Sequence, residues 1–166
     1  MTTGDFDPNA RQYGQPGGNP PPPPSAGQEP GSLTLRFLAR LTDGMLVTLA
    51  VVLMAILFGV RSNLLVTGLF SGLLMFIYFV GFEVAWGATP AKKLLGMKVR
   101  GPGGAPKPDV RQSAIRNAFT LLPIIPYIGS LLALVAYVVI AVTINNSPTN
   151  QGKHDELAGG TEVVTG

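Results

Sequence analysis

Three long stretches of the chain contain no charged residue, namely residues 44–60, 62–82 and 118–144. A helix needs about 20 apolar residues to cross a bilayer core that is about 30 Å thick. The second and third stretches are long enough to cross, and the first is long enough when residues 37–42, which contain both apolar and polar side chains, are added to it. The pattern therefore predicts an all-α integral membrane fold with three transmembrane helices. The approximate bounds of these spans are residues 37–60, 62–86 and 118–144.

The third stretch contains Pro123 and Pro126, which interrupt helical hydrogen bonding. It is either one span that proline breaks or bends, or a re-entrant hairpin. Its length of about 27 residues is too short for two crossings, so we predict one span. The segments "LLGMKV" (94–99) and "GGTEVV" (159–164) resemble short strands. Pairing would require them on one side of the membrane, whereas three full crossings would separate them.

A short turn at Arg61 separates the first two stretches, which predicts an antiparallel helical hairpin. Gly68 and Gly72 are four residues apart and give the second helix a small-residue face. Such a face allows another element to approach closely, and we interpret it as a packing surface.

Residues 1–31 contain eight of the fifteen prolines. A segment of this composition buries too little apolar surface to offset its ordering entropy, which predicts a disordered tail before a membrane domain at residues 32–165. The run "NPPPPPSAG" favours polyproline II, as a stiff spacer or as a ligand for an aromatic groove, and we prefer the spacer. Because the tail lacks the basic start and apolar centre of a secretory signal, the first apolar helix is expected to be an uncleaved insertion signal.

The charge distribution predicts the orientation of the helices. Charged residues make up 13% of the 166 residues, about half the usual fraction, whereas 46% are hydrophobic. Seven of the twelve Lys and Arg residues lie between the second and third stretches. The positive-inside rule places that loop and the N-terminus in the cytoplasm of a multi-pass protein. The basic loop can also bind anionic headgroups, and nothing in the pattern indicates a nucleic-acid partner.

Charged side chains occur at the predicted cytoplasmic edge of the first two spans. Arg36, Arg40 and Asp43 are spaced four and three residues apart, so they lie along one stripe of a helix. Glu83 is expected at a similar depth, with Lys92 nearby. An aspartate at this boundary is costly unless it is paired, and we expect Asp43 to pair with Arg40 or Arg36. The group is either a proton or cation site or an electrostatic lock between helices, and we favour the lock.

The sequence lacks the residues that several kinds of catalytic or metal site require. There is no cysteine, which removes disulfides, thiolate ligands and a cysteine nucleophile, and His154 is the single histidine. No serine elbow, paired histidine or metal-ligand spacing is present. We therefore expect no enzyme activity, no cofactor and no metal site.

Four segments resemble, in order, the motifs of the RDD family, small bacterial membrane domains named for one arginine and two aspartates. The first, "RFLARLTD", supplies Arg36, Ala39 and Asp43 of the pattern Arg-x-x-Ala-x-x-x-Asp. The second, "GATPAKKLLGMKV", supplies Gly87, Thr89, Lys92, Leu95, Gly96 and Val99. It departs from the family at Ala91, where glycine is usual.

The segment "RNAF" resembles the Arg-Asn that precedes the third apolar segment of the family, and "HDELAGGTEVV" resembles its closing motif. The closing motif makes Asp155 the second aspartate and contains one extra glycine, Gly160. The resemblance covers residues 32–165 and implies a domain of the bacterial plasma membrane. For this family, transport of an unidentified ligand or sodium–proton exchange has been suggested. A Pro-rich tail before the domain resembles actinobacterial members.

Two functions follow as hypotheses. The first is a transport component or Na⁺/H⁺ exchanger, which with three helices would need to form a homo-oligomer or join a partner membrane protein. The alternative is a non-transporting adaptor or scaffold that presents the tail and the basic loop to partners, with the lipid bilayer as its surroundings in either case. The candidate functional or ion-binding residues are Arg36, Arg40, Asp43, Glu83, Lys92 and Asp155.

Overall fold

A computed structural model describes residues 28–59 and 64–166, with the backbone alone for residues 64–70. The helices are α1 Leu33–Leu57, α2 Leu64–Trp86, α3 Pro90–Leu94, α4 Val110–Asn117, α5 Gly129–Asn146 and α6 Lys153–Leu157. The strands are β1 Glu29–Pro30, β2 Met97–Arg100 and β3 Glu162–Thr165. A 3₁₀ segment, Ala118–Ile124, joins α4 to the turn before α5.

Helix α1 has charged residues at the beginning of its buried face and apolar residues on its exposed face. Ser32 caps it by accepting a hydrogen bond from the Leu35 N–H. Its buried residues recur every three or four positions and are Arg36, Ala39, Asp43, Val47 and Val51. The remaining surface exposes large apolar side chains, such as Met45 at 63% and Leu57 at 80%. A surface of this kind is typical of a helix that contacts lipid.

Two helices among the described residues, α1 and α5, are long and apolar enough to cross a membrane. The part of α2 with described side chains, Ser71–Trp86, is apolar but shorter. Helices α1 and α2 pack against each other, as the predicted hairpin requires. The turn predicted at Arg61 lies outside the described residues. Gly68, one of the two glycines of the predicted small-residue face, lies in the part of α2 for which only the backbone is described.

The three strands form one antiparallel sheet in the order β1–β3–β2. In β2, Met97 lies opposite Thr165 and Arg100 lies opposite Glu162, and Pro30 of β1 lies opposite Val164. The strand character expected of residues 94–99 and 159–164 is confirmed for residues 97–99 and 162–164, whereas Leu94 ends α3 and Gly96, Gly159 and Gly160 have positive φ. Because β2 and β3 are hydrogen-bonded, however, these two segments lie on the same side of the molecule.

The third apolar stretch, residues 118–144, is not one continuous helix, because the chain reverses direction inside it. The 3₁₀ segment leaves α4, contains Pro123 and ends at Ile124, and Tyr127 then adopts a positive φ of 66°. Helix α5 returns alongside it, so that Phe119 stacks edge-to-face on Tyr137 with ring centroids 5.1 Å apart. The stretch is therefore broken at its prolines, as both sequence alternatives allowed, and α5 is the part of it long enough to cross a membrane.

Close backbone approach makes this reversal possible. A Cβ atom added to Gly129 would lie 2.2 Å from the Leu122 carbonyl oxygen, so no other residue fits there without movement of the backbone. A Cβ atom added to Gly72 would lie 3.0 Å from the Ile124 side chain and 3.2 Å from the Thr120 carbonyl oxygen. Gly72 is thus a packing residue for the 3₁₀ segment, in agreement with its interpretation as part of a packing surface.

A small apolar core joins the sheet to the beginning of α1. Its fully buried members are Ala39, Ala91, Met97, Val99 and Val163. The sheet begins just before the predicted boundary at residue 32, because Glu29 and Pro30 form β1 and the Gly31 N–H donates to the Val163 carbonyl. The folded domain therefore includes residues 29–31, and the rest of the predicted tail, residues 1–27, lies outside the described residues.

Candidate functional site

A group of charged residues, all of them buried except the partly buried Arg40, lies where the sheet-side ends of α1 and α2 meet α3, α4 and α6. We call this group the charged layer. Its members are Arg36, Arg40, Asp43, Glu83, Lys92, Arg116 and Asp155. All six candidate residues predicted from the sequence belong to it, and Arg116 is an addition. The layer contains four cationic and three anionic side chains.

Glu83, near the end of α2, is completely buried and is the anionic centre of one half of the layer. Lys92 Nζ donates to one of its oxygens at 2.5 Å. Its other oxygen accepts from Ser113 Oγ at 3.0 Å and Asn117 Nδ2 at 2.8 Å. Arg116 Nε lies 3.8 Å from the first oxygen. Each carboxylate oxygen therefore has at least one donor, and helices α2, α3 and α4 are joined through one side chain.

Asp155, in α6, is the anionic centre of the other half. Its Oδ2 accepts from Arg36 Nη1 at 3.1 Å and from the Gly152 N–H at 3.2 Å. Its Oδ1 accepts from Thr161 Oγ1 at 3.1 Å and lies 3.1 Å from Arg116 Nη1. Arg116 therefore lies between the carboxylates of Glu83 and Asp155 and connects the two halves.

Arg36 attaches the sheet to helix α1. Besides its ion pair with Asp155, Arg36 Nε donates to the Gly31 carbonyl at 2.9 Å and Nη2 donates to the Val163 carbonyl at 3.2 Å. One guanidinium thus bonds to the segment before α1, to α6 and to β3. The arginine and the second aspartate of the sequence motif are 119 residues apart and in direct contact.

Asp43 is not paired with either arginine, so that prediction is wrong. Its Oδ1 accepts from the Tyr78 hydroxyl at 2.7 Å and from the Ala91 N–H at 3.1 Å, and its Oδ2 accepts from Thr89 Oγ1 at 2.5 Å. Neutral donors therefore satisfy this completely buried carboxylate. Ala91, where the family usually has glycine, contributes its backbone N–H and adopts no positive φ.

Arg40 is the cation of the layer that has no carboxylate within ion-pair distance among the described residues. Both of its terminal nitrogens donate to Asn117 Oδ1 at 3.0 Å. Its guanidinium lies 3.7 Å above the ring centre of Phe79 and 4.9 Å from that of Phe119. Cation–π contacts of this kind favour arginine over lysine.

Sequence reasoning missed Arg116 and Asn117 as members of the site. Both lie in α4, which begins with a capping box formed by Asp109 and Gln112. Ser113, Arg116 and Asn117 are spaced three and four residues apart, so they share the buried face of α4. That polar face and the Arg-Asn motif were the signals in the sequence. The net positive charge of the basic loop does not reveal that one of its arginines, Arg116, is buried.

Burial affects the pKa values of the layer residues that lie outside the apolar helices. It lowers the pKa of the Lys92 ammonium to about 8, against the opposing effect of the Glu83 carboxylate. Burial alone would raise the pKa of Asp155, but the positive charges of Arg116 and Arg36, together with His154 and the hydrogen bond from the Gly152 N–H, bring that pKa below its ordinary value. Asp155 is therefore ionised at neutral pH.

His154 makes the stability of the domain sensitive to acid. Burial lowers its pKa from 6.5 to about 3, with Asp155 opposing the shift and Arg116 adding to it. Between these values the unfolded chain binds a proton that the folded chain does not, so stability falls as the pH drops below 6.5. The slope is up to about 1.4 kcal/mol per pH unit. We expect the unfolding temperature of the purified protein in detergent to decrease over this range.

The matched variant for this experiment is His154→Leu, which removes the titrating group and keeps the position apolar. Its unfolding temperature is expected to depend less on pH than that of the wild type between pH 6.5 and the titration of the carboxylates. Equal slopes for the two proteins would contradict the assignment of acid sensitivity to His154.

Among the described residues, no group of three or more His, Cys, Asp and Glu side chains is arranged to hold a metal ion. Each carboxylate of the layer is instead bonded to protein donors.

The apolar helices, the exposed apolar surface of α1 and the charged layer at one end of the helices define a helical domain associated with a membrane. The sequence model of the RDD family matches residues 30–159, and the chain belongs to that family. The resemblance based on the four motifs is thereby confirmed. Searches of curated proteins and of solved structures find no match for the chain.

Proposed function

We propose that this protein is a non-transporting membrane adaptor, in which the charged layer is an electrostatic lock that holds the sheet on the apolar helices. In this role the domain anchors the N-terminal tail and the basic surface residues at the membrane, where they contact partner proteins. The observation that carries the proposal is the complete set of donors around each carboxylate of the layer.

Ion exchange makes different demands on the same residues. A carboxylate that carries Na⁺ or H⁺ must release its partners during each cycle and bind the cation in their place. Here Glu83 has a lysine and two neutral donors, Asp155 has two arginines nearby, and Asp43 has three neutral donors. The excess of cations over anions in the layer also opposes entry of another cation. These contacts favour a lock over an exchange site.

The proposal includes a topology. Helices α1 and α2 cross the plasma membrane of a bacterium, and the 3₁₀ segment with α5 forms a re-entrant hairpin that enters and leaves from the cytoplasm. The sheet supports this arrangement, because it holds the residues before α1, the loop after α2 and the C-terminal strand together. The N-terminus, the basic loop and the C-terminus then all lie in the cytoplasm, as the positive-inside rule requires.

Deletion of residues 2–27 tests the adaptor role and preserves β1, which a longer deletion would remove. In a strain that lacks the gene, we expect the wild type to restore the phenotype and the deletion variant to fail at equal membrane abundance. A transporter would retain its function without the tail. A control variant in which the same residues are replaced by a Gly/Ser linker of equal length distinguishes the tail sequence from its length.

Two results would contradict the proposal. One is full complementation by the deletion variant. The other is sodium-dependent proton flux by the reconstituted wild type that Asp43→Asn abolishes while the amount of folded protein is unchanged.

A further inference from the structure

An open groove separates α1 from α5 on the lipid-facing surface of the domain. The groove encloses about 930 Å³ and is lined mainly by apolar side chains. On α1 its wall consists of Phe37, Leu41, Met45, Leu49 and Val52, each of which is at least 45% exposed. These residues recur at nearly four-residue spacing, so they form one stripe, which extends over about 22 Å at 1.5 Å per residue. That length exceeds the thickness of one leaflet of the hydrocarbon core.

One end of the same groove is cationic. Arg36, Arg40 and Arg116 line it together with His154, and all four lie at the sheet-side end of the groove. Apolar walls that lead to a cluster of guanidinium groups match a ligand with a hydrocarbon part and an anionic part.

The polar groups at this end differ in whether they have a charged partner. Arg116 Nη1 forms an ion pair with Asp155 Oδ1 at 3.1 Å, and the side chain is only 4% exposed. His154 Nδ1 is also buried and has no partner among the described residues. Arg40 bonds to a neutral amide oxygen and has no carboxylate partner.

We propose that the groove binds one anionic phospholipid of the leaflet on the sheet side, with an acyl chain between α1 and α5 and the phosphate near Arg40, Arg116 and His154. The ligand supplies the negative charge that balances four cations against three anions in the charged layer. This site goes beyond the proposed adaptor function, because the adaptor needs neither a bound lipid nor this groove.

A second copy of the chain fits the groove less well. An apolar helix from another copy would fill the hydrocarbon part, but it would bring no anion to the cationic end. The carboxylates of α1 and α2, Asp43 and Glu83, are completely buried within their own chain.

Native mass spectrometry of the full-length protein in detergent, with phosphatidylglycerol or phosphatidylcholine added, tests the proposal. We expect one phosphatidylglycerol to be retained per chain, with at least about tenfold preference over phosphatidylcholine. The variant Val138→Trp fills the groove and is expected to abolish retention. The matched control is Val135→Trp, on the exposed part of α5 outside the groove, which is expected to retain the lipid. The variant Arg40→Gln is expected to weaken retention about tenfold.

The other outcomes overturn the proposal. One is equal retention of the two lipids, and another is equal loss of bound lipid in Val138→Trp and Val135→Trp. A third is a dimer mass that disappears in Val138→Trp, which would assign the groove to a second copy of the chain. Stabilisation by inorganic phosphate equal to that by phosphatidylglycerol, measured by thermal shift, would assign the cationic end to free anions. If Arg40→Gln fails to fold, the two tryptophan variants still decide the result. Failure of the tail deletion test leaves this test unaffected, since the two involve different residues.

Discussion

Glu83→Gln is expected to deplete the folded protein from the membrane and to lower its unfolding temperature more than any other conservative change in the charged layer. The substitution leaves the buried Lys92 ammonium without its carboxylate partner and removes the counter-charge near Arg116. Breaking one side of a buried ion pair costs about 3–5 kcal/mol. A loss of that size is a large part of the 5–15 kcal/mol by which a domain is typically stable.

Size-exclusion chromatography and thermal unfolding of the detergent-solubilised protein measure this effect. The matched control is Glu156→Gln, whose ion pair with Lys153 is about half exposed and should contribute less than about 1 kcal/mol. The double variant Glu83→Gln, Lys92→Met removes both charges of the buried pair and should recover part of the loss. If Glu83→Gln and Glu156→Gln unfold at the same temperature, the charged layer is not an electrostatic lock.

Single cysteines are expected to give an all-or-none labelling pattern in intact cells, because the chain has no cysteine of its own. Phe58→Cys, at the end of α1, should react with a membrane-impermeant maleimide. Lys98→Cys in β2 and Glu156→Cys in α6 should react only after the cells are permeabilised. All three positions are exposed, so protection reports on the side of the membrane and not on burial.

Labelling of Glu156→Cys in intact cells while Lys98→Cys stays protected would contradict the topology. It would place α6 and β2 on opposite sides, and the ion pair between Arg36 and Asp155 could not form within one chain. The cysteine-free parent is the control for background labelling.

The lock and the groove have a residue in common. Arg116 lies between Glu83 and Asp155, and its side chain also lines the cationic end of the groove. A phosphate bound there would share this guanidinium with both carboxylates. Lipid binding and the stability of the charged layer are therefore expected to be coupled, since a ligand that binds the folded state stabilises it.

The sequence predicts that the residues of the charged layer lie at a similar level along the helices, but it does not predict which of them bond to one another. Arg36, Arg40 and Asp43 share one helical stripe, and helical rise placed Glu83 at the same level. Periodicity defines which residues share a face, but not what lies opposite that face. The partner of Arg36 is Asp155, far along the chain, and the partners of Asp43 come from α2 and from the segment around α3.

By itself the sequence determined the apolar helices α1 and α2, the extended character of residues 97–99 and 162–164 and the membership of six residues in the charged layer. These features depend on local hydrophobicity, residue spacing and length, which act over short distances along the chain. Only the tertiary structure decided that residues 118–144 reverse direction, that Arg116 joins two carboxylates and that Asp43 bonds to neutral donors. The physical reason is that burial and hydrogen bonding select partners by their position in space, and the packing of the sheet against α1 sets those positions.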